Sequence, residues 1–559
     1  MKKSTTISRL WASPPRFNRT TLSLLTAVAL TLFYNSALWS LILKTPFDNA
    51  VDLYVFCGAF FLFIFLIFNI LITLVSVPYL QKPLIILLIL SAAGCNFFAN
   101  HYGIMFDRNM MQNLMETDSA EVVELINANL LISLLFFGVI PAVFVALIKI
   151  KPTSLRTDVK QKLINILLSS LLLIAVILLA YKDFSSVFRT HREIRNLIIP
   201  TSYLYYGSRY LSGAYDLNNR PLQTIGLDAS SGPLLNSATK KVVTVVVVGE
   251  TARAMNFSLN HYGRDTNPEL SKENIINFSQ TYSCGTDTAV SVPCMFSDIP
   301  RSNFDNATAK SRENVLDVLS HAGVNVLWRD NNSGCKGVCD RIHQQSQKDY
   351  RVETNCNKDE CFDEMMLNNL SAYLEGSTEN AMVVLHQHGS HGPSYTQRYP
   401  KAYERFTPVC TGSDLQSCSQ QQVINAYDNT ILYTDHFLAQ VIAFLKQHDD
   451  QYITAMLYVS DHGESLGESN LYLHGLPYFI APEEQTHVPL ILWLSEAYKS
   501  QFKINSECLA RQASSQLSHD NIFHSILGLM NIQTTLRKND MDIFAQCRNT
   551  AQIAGISRL

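Results

Sequence analysis

The sequence predicts a two-part protein: an α-helical membrane domain of five transmembrane helices, then an α/β domain built on a mainly parallel sheet. Three observations carry this prediction. Five long apolar runs crowd the N-terminal third of the 559-residue chain. Beyond residue 240, short and nearly continuous apolar runs alternate with amphipathic stretches. Of the 12 cysteines, all but Cys57 and Cys95 lie after residue 280.

The apolar runs cover 22–43, 52–76, 83–101, 124–148 and 161–181. Each is long enough to cross a hydrocarbon core of ~30 Å as a helix. Basic residues set the orientation. Lys2, Lys3, Arg9, Arg16 and Arg19 precede the first run, Lys82 sits in the second loop, and Lys149, Lys151, Arg156, Lys160 and Lys162 fill the fourth. The first and third loops hold only Lys44 and Arg108. The positive-inside rule then puts the N-terminus in the cytoplasm, and five crossings put everything after about residue 182 on the far side. The first run exceeds a signal-peptide core and four more follow, so an uncleaved anchor is expected. The expected divisions are a membrane domain (1–182), an interfacial or linker segment (183–235) containing the aromatic stretch 203–211, and a catalytic domain (236–559). A net charge of −3 gives no reason to propose a nucleic-acid partner.

The cysteines agree with an oxidising compartment. Cys284/Cys294, Cys335/Cys339, Cys356/Cys361 and Cys410/Cys418 form close couples, leaving Cys508 and Cys547. That reads as five disulfides, with a connectivity that spacing does not fix. The spacings are too irregular for a zinc–cysteine cluster.

In the second part, strands are expected at 242–248, 324–330, 381–386, 452–460 and 487–494. Their unbroken apolar character suits a parallel sheet covered by helices on both faces. Sites in such sheets form beyond the carboxyl ends of strands. The first strand ends in Gly249-Glu250-Thr251. The third runs into "LHQHGSHGP", with His386, His388 and His391, and the fourth into "SDHGESLGE", with Asp461, His462, Glu464 and Glu468. His474 comes next in "YLHGLP". Taken singly, these are ordinary loop residues and caps. Together they bring carboxylate oxygen and imidazole nitrogen to one sheet edge, the donor set for Zn²⁺. "CGTDTAVSVPCMFS" offers three candidate nucleophilic hydroxyls, Thr286, Thr288 and Ser291, among which sequence physics does not choose.

The stretches "VVGETARAMNFSLNHYGRDTNP", "SCGTDTAVSVPCMFSDIPR", "VLWRDNNSGCKGVCDR", "LHQHGSHGPSYTQRYP", "YDNTILYTD" and "SDHGESLGESNLYLHGLPYFIAP", with "YGIMFDRNMMQNLMETDSAE" in the third loop, closely resemble the lipid A phosphoethanolamine transferases. That family includes the mobilised colistin-resistance enzymes and belongs to the alkaline phosphatase superfamily. The resemblance implies an alkaline-phosphatase-like, sulfatase-like catalytic domain in the periplasm, anchored in the bacterial inner membrane. It implies Glu250, Thr288, Asp461 and His462 as ligands of one tight zinc, with Thr288 as the nucleophile that carries phosphoethanolamine. It also implies that His391 and His474 bind substrate phosphate or a second, weaker zinc, and that Asn332 and Lys336 hold the phosphoethanolamine. The adjacent cysteine pairing is implied too. The expected donor is phosphatidylethanolamine, the acceptor lipid A, the consequence polymyxin resistance, and the working unit a monomer. A sister transferase acting on a lipopolysaccharide core sugar or a glycan is the alternative. A sulfatase is disfavoured, because no C/S-x-P-x-R motif surrounds Cys294. Asp287 and His388 depart from the family's usual residues; Asp287 is expected to retune the metal charge or repel phosphate, and His388 to act as a stray ligand.

Overall fold

A computed structural model describes residues 15–548 apart from 48, 118, 218–219, 353–354 and 357–360. Lys2, Lys3 and Arg9, which contribute to the expected orientation, lie outside the described residues. The chain divides into two compact units, 1–108 with 126–208, and 109–125 with 209–559. This division falls within the expected interfacial or linker segment 183–235, and the second unit takes in a segment from between two apolar spans.

In chain order the N-terminal helices are α1 (Arg19–Phe33), α2 (Ser36–Lys44), α3 (Ala50–Leu74) and α4 (Gln81–His101). A short helix, α5 (Arg108–Glu116), comes next, then α6 (Ala128–Leu147) and α7 (Leu155–Leu179). Helices α3, α4, α6 and α7 are each long and apolar enough to span a membrane. The first run is a pair, α1 and α2, bent by 58°. Asn35 explains the break. It is buried, and its side-chain amide donates to the Leu30 and Ile199 carbonyls and accepts from the Ile199 N–H, so it satisfies backbone groups at the bend. Helix α6 contains a π-helical stretch, Leu134–Val139. Within this unit the basic residues gather with one end of the helices. Arg19 and Lys162 both pair with the buried Asp158 (3.0 and 3.1 Å), and Lys82 donates to the Ile148 carbonyl.

The second unit is organised by an eight-stranded sheet. Its strands are β1 (Lys241–Gly249), β2 (Ile275–Tyr282), β3 (Asn325–Asp330), β4 (His343–Ser346), β5 (Ala381–His386), β6 (Tyr452–Ser460), β7 (His487–Leu494) and β8 (Leu517–Ser518), in the spatial order β8-β2-β7-β6-β1-β5-β3-β4. The run β6-β1-β5-β3-β4 is parallel throughout. Only β7 runs against its neighbours, pairing antiparallel with both β2 and β6. The five expected strands are all present. Strands β2, β4 and β8 are additional to them: β2 reads "IINFSQTY", half polar and half-exposed, and lacks the apolar continuity of the centre. At that centre every residue of β1 from Val242 to Gly249 is buried, as befits a strand covered on both faces.

Three helices shape the edge of this sheet. Helix α8 (Thr288–Met295) is buried on all sides, and α9 (Asn306–Lys310) packs beside it. Helix α10 (Gln420–Gln447) opens with a capping box between Ser419 and Gln422 and packs against β6 and several short helical turns.

The ten cysteines beyond residue 280 pair as Cys284–Cys294, Cys335–Cys339, Cys356–Cys361, Cys410–Cys418 and Cys508–Cys547. Only the last closes a long loop, with a sequence separation of 39 against 4 for Cys335–Cys339. Replacing Cys508 and Cys547 by serine is expected to cost about 4 kcal/mol in the chain-entropy description, against about 2 kcal/mol for Cys335 and Cys339. Denaturant titration of the two double variants checks the order.

Candidate active site

The parallel run fixes the site's position by register. Gly249 pairs with Ser460 and Val248 with His386, so Glu250 on β1 and Asp461 on β6 leave adjacent strands side by side. Asp330 pairs with His386, which delivers the "NNSG" turn after β3 to the same edge. Gly389 shows how tightly these loops meet. A Cβ there would stand 2.7 Å from the Glu250 carbonyl oxygen, and its φ of +55° is one that glycine adopts without strain.

At this edge Glu250, Asp461 and His462 converge, all fully buried, with donor atoms within 4.8 Å of one another. His462 Nε2 lies 3.5 Å from Glu250 Oε1 and 3.4 Å from Asp461 Oδ2. Thr288 Oγ1 lies 3.1 Å from Glu250 Oε2 and 3.4 Å from His462 Nε2. Ligands on a tetrahedral Zn²⁺ with bonds of roughly 2.0–2.1 Å stand roughly 3.3 Å apart. Asp461 Oδ2 is buried with no hydrogen-bond partner, whereas Oδ1 accepts from the Thr251 and His462 N–H groups. His462 Nδ1 faces the Gly463 carbonyl at 2.9 Å, which assigns that nitrogen the proton and turns the Nε2 lone pair into the cluster. An orphaned buried carboxylate oxygen, a bare imidazole nitrogen and a hydroxyl at tetrahedral spacing fit a divalent cation.

The electrostatics agree. Burial opposes charge on Glu250, but the imidazoles of His462, His391 and His474 and the Thr251 hydroxyl hold its carboxyl well below the usual range. Burial and the Glu250 charge push Asp461 up to about 6. Two buried carboxylates this close do not both ionise without a compensating cation.

Geometry also separates the three hydroxyls. Thr286 donates to the Leu476 carbonyl and Ser291 accepts from the Gly285 N–H, so both are engaged in holding the loop. Thr288 alone of the three reaches the carboxylate. Asp287 is the N-cap of α8, its side chain accepting from the Val290 N–H at 3.0 Å. The carboxylate expected to disturb the metal thus starts this helix, leaving Thr288 as the first helical residue.

Around the cluster, His474 packs at a tilt against His462 with ring centroids 4.4 Å apart, and His391 lies beyond it, 5.6 Å from His474. His474 Nδ1 bonds Glu464 Oε2 at 2.8 Å, and Tyr395 donates to the other oxygen of that carboxylate. Glu464, expected among the donors, therefore orients His474. Glu468 pairs with Arg253 and stays outside the cluster. His388 stands 6.0 Å from His391, ring to ring, and does not join the three-residue metal group. Asn332 Nδ2 donates to Glu250 Oε2 at 2.7 Å and to the Gln387 carbonyl at 2.9 Å. The Lys336 ammonium turns back on Ser333, donating to its hydroxyl and carbonyl. A cavity of about 650 Å³ opens beside these groups, lined in part by Asn332, His388, His391, Lys348 and Arg398.

Several supporting residues give no signal in sequence. Asp363 is buried and accepts from the N–H groups of His388 and Gly389 and from the side chains of Asn331 and Gln387. His519 joins the Cys284 N–H to the Ser460 carbonyl, and burial pushes its pKa down to about 3, so it acts as a neutral bridge. Neither sits in a recognisable motif, and each acts through backbone groups far away in the chain.

A parallel sheet presenting this cluster and a helix-borne threonine at its carboxyl edge defines a phosphate-transferring enzyme of the sulfatase and alkaline phosphatase type, carried on membrane helices. Residues 243–532 match the sulfatase family, and residues 64–215 match a family described as phosphoethanolamine transferase EptA/EptB. The chain is 41% identical to phosphoethanolamine transferase EptA of Escherichia coli (strain K12) over 96% of this chain and 98% of that one. It is 39% identical to phosphatidylethanolamine transferase Mcr-1 of Escherichia coli over 82% and 85%. The solved structure of the integral membrane protein lipooligosaccharide phosphoethanolamine transferase A (EptA) from Neisseria meningitidis superposes with a TM-score of 0.91, at 33% identity, over 96% of this chain and all of that one. The chain belongs to the phosphoethanolamine transferase family.

Chelation should leave the two carboxylates facing each other and lower the thermal midpoint. Asp461 has a folded pKa raised to about 6 in the metal-free cluster, so its ionisation opposes the metal-free fold above that pH and ceases to do so as pH falls below it. The gap in midpoint between metal-loaded and chelated protein is therefore expected to be wide at pH 8 and to narrow through pH 6, by calorimetry. Affinity for the cation should fall more steeply than about tenfold per pH unit below that point, since binding must displace the Asp461 proton and that of His462, whose pKa, despite burial, the neighbouring carboxylates also raise.

Proposed function

We propose that this chain moves phosphoethanolamine from phosphatidylethanolamine to a phosphate of lipid A through a phosphoethanolamine-bearing Thr288. The observation that carries the reading is Thr288 Oγ1 standing 3.1 Å from Glu250 within a buried cluster whose Asp461 Oδ2 has no other partner. Glu250, Asp461 and His462 would hold Zn²⁺ together with Thr288. When bound, the ion lowers the pKa of the coordinated hydroxyl and steadies charge on the phosphoryl oxygens.

Thr288 Oγ1 gives its proton to His474 or His391 and attacks phosphorus, its bond to phosphorus forms, and the bond to the glycerol oxygen breaks. Diacylglycerol leaves with a proton that His474 or His391 can supply, and Glu464 fixes the tautomer of His474. A lipid A phosphate oxygen then attacks the same phosphorus and Thr288 departs as the alcohol. Asn332, donating to Glu250 and lining the adjacent cavity, holds the phosphoryl group's surroundings in place; Lys336 would have to swing away from Ser333 to reach it.

The relatives named for phosphatidylethanolamine and for lipooligosaccharide support that donor and an acceptor of the lipopolysaccharide type. The oxidised cysteines and the basic residues gathered at one end of the helices support an inner-membrane protein with a cytoplasmic N-terminus and a periplasmic catalytic unit. An ethanolamine ammonium added to lipid A offsets anionic charge and weakens binding of cationic peptides such as polymyxin.

Expressed in a polymyxin-sensitive host, the chain is expected to add the mass of phosphoethanolamine to lipid A. Modification confined to core sugars would replace this acceptor with the sister one. Intact-protein mass spectrometry with donor lipid should show an adduct on the wild type and none on Thr288→Ala. Full transfer by Thr288→Ala would remove the covalent step.

A further inference from the structure

The segment 109–125 lies in the chain between two membrane-spanning helices yet packs as part of the catalytic unit. Two of its residues touch the immediate neighbours of site residues, and a third reaches a site residue through an arginine. Gln112, buried, donates through Nε2 to the carbonyl of Ala289, the residue after Thr288, at 3.4 Å, and to Glu116 Oε1 at 3.1 Å. Met110 Cε lies against Gly475, the residue after His474, so closely that a Cβ there would stand 2.6 Å from it. Glu124 pairs with Arg398, whose side chain is 1% exposed and whose Nε donates to the carbonyl of His391 itself at 2.7 Å.

Two ion pairs hold the segment in this place. Glu116 pairs with Lys310 at 2.6 Å at the end of α9, a helix whose Asn306 donates to the same Ala289 carbonyl at 2.7 Å. Glu124 with Arg398 is the second pair, and it is the more buried. Partly buried, hydrogen-bonded pairs of this kind fix geometry, because breaking one leaves a charge without its partner in a poorly solvated place.

We infer that the segment 109–125 is a positioning element of the active site, latched by Glu116–Lys310 at the nucleophile and by Glu124–Arg398 at His391. Neither glutamate needs to touch the reacting phosphorus. Each acts through the backbone at a site residue: the first by holding the opening turn of α8 through Ala289, the second by holding the His391 carbonyl. The three poles of the site come from separate loops far apart in the chain, and this one segment spans them. The inference rests on the reading of Thr288 as nucleophile.

The test uses the full chain in detergent micelles with phosphatidylethanolamine. Single-turnover formation of the threonine adduct is followed by mass spectrometry across donor concentrations, beside metal content and thermal midpoint. Glu116→Gln and Lys310→Met are each expected to slow adduct formation at saturating donor by about tenfold, the scale of a modest misplacement of a reacting group. The half-saturating donor concentration and metal content should stay as in wild type. Lys310→Arg should keep the rate. The double variant Glu116→Gln/Lys310→Met should be no slower than either single one, and because it leaves no lone charge it remains usable if a single variant fails to fold. Glu124→Gln is expected to slow adduct formation at saturating donor in the same way, again with metal content retained.

Wild-type rates in these variants would overturn the inference. So would a loss seen only as a raised half-saturating concentration, which would make the segment a lipid contact, or only as lost stability or metal. Losses that multiply in the double variant would also overturn it. No adduct on the wild-type chain would sink the reading of Thr288 and this inference with it, whereas a wild-type adduct with unchanged variants sinks this inference alone.

Discussion

The structure of the catalytic unit turns on two carboxylates that share a buried corner. Glu250 and Asp461 emerge from adjacent parallel strands in register, and both are cut off from water. Burial and the Glu250 charge raise the Asp461 pKa, and no lysine or arginine pairs with either carboxylate among the described residues. Such a pair is costly unless protonated or compensated, and a cation between them would supply the compensation. The neighbours are arranged accordingly. Thr251 and Asn332 donate to Glu250, and the Thr251 and His462 N–H groups donate to one oxygen of Asp461, while the other oxygen and His462 Nε2 are left facing inward.

From that corner the rest of the site becomes a problem of holding loops still. A parallel sheet brings strand ends together but leaves long connections at the same edge. Asp363 gathers the His388–Gly389 turn, His519 ties the nucleophile loop to the end of β6, and Arg253 links the Glu250 loop to the Glu464 carbonyl and Glu468. The Cys284–Cys294 disulfide joins the loop before α8 to a buried turn within it. These contacts are mostly from side chain to distant backbone. They turn a mobile edge into a pre-organised one, which is what in-line attack on phosphorus and stabilisation of its developing charge require.

This division explains what can be read from sequence. The central strands are legible because burial on both faces demands unbroken apolar runs: "VVTVVVVG", "AMVVLH" and "YITAMLYVS" leave little choice. The ligands are legible because they come directly after those strands. Strand β2 is not, because an outer strand beside the antiparallel β7 tolerates polar residues such as Asn277 and Gln280. The choice among Thr286, Thr288 and Ser291 needs coordinates, since each sits where a hydroxyl commonly bonds backbone, and two of them do so. Asp287 looks like a disturbance in the charge pattern because capping geometry is invisible until the helix start is known. The bend at Asn35 is hidden for a related reason: an apolar run shows its length but not whether an internal amide breaks it.

The least legible feature is the membership of 109–125. Nothing in an inter-span loop announces that its residues will pack beside a nucleophile encoded far later, with a separation of 177 between Gln112 and Ala289. Chain order makes the physical consequence plain. A chain starting near residue 209 would keep Glu250, Thr288, Asp461 and His462, and with them the cation's surroundings. It would lose the hydrogen bond to Ala289, the cover over Gly475 and the partner of Arg398. Arg398 would then carry a buried guanidinium without Glu124, a costly state that the His391 loop could relieve only by moving. Metal binding and catalytic geometry are thus encoded in different stretches of the chain, and the second includes residues that precede the third uninterrupted membrane helix.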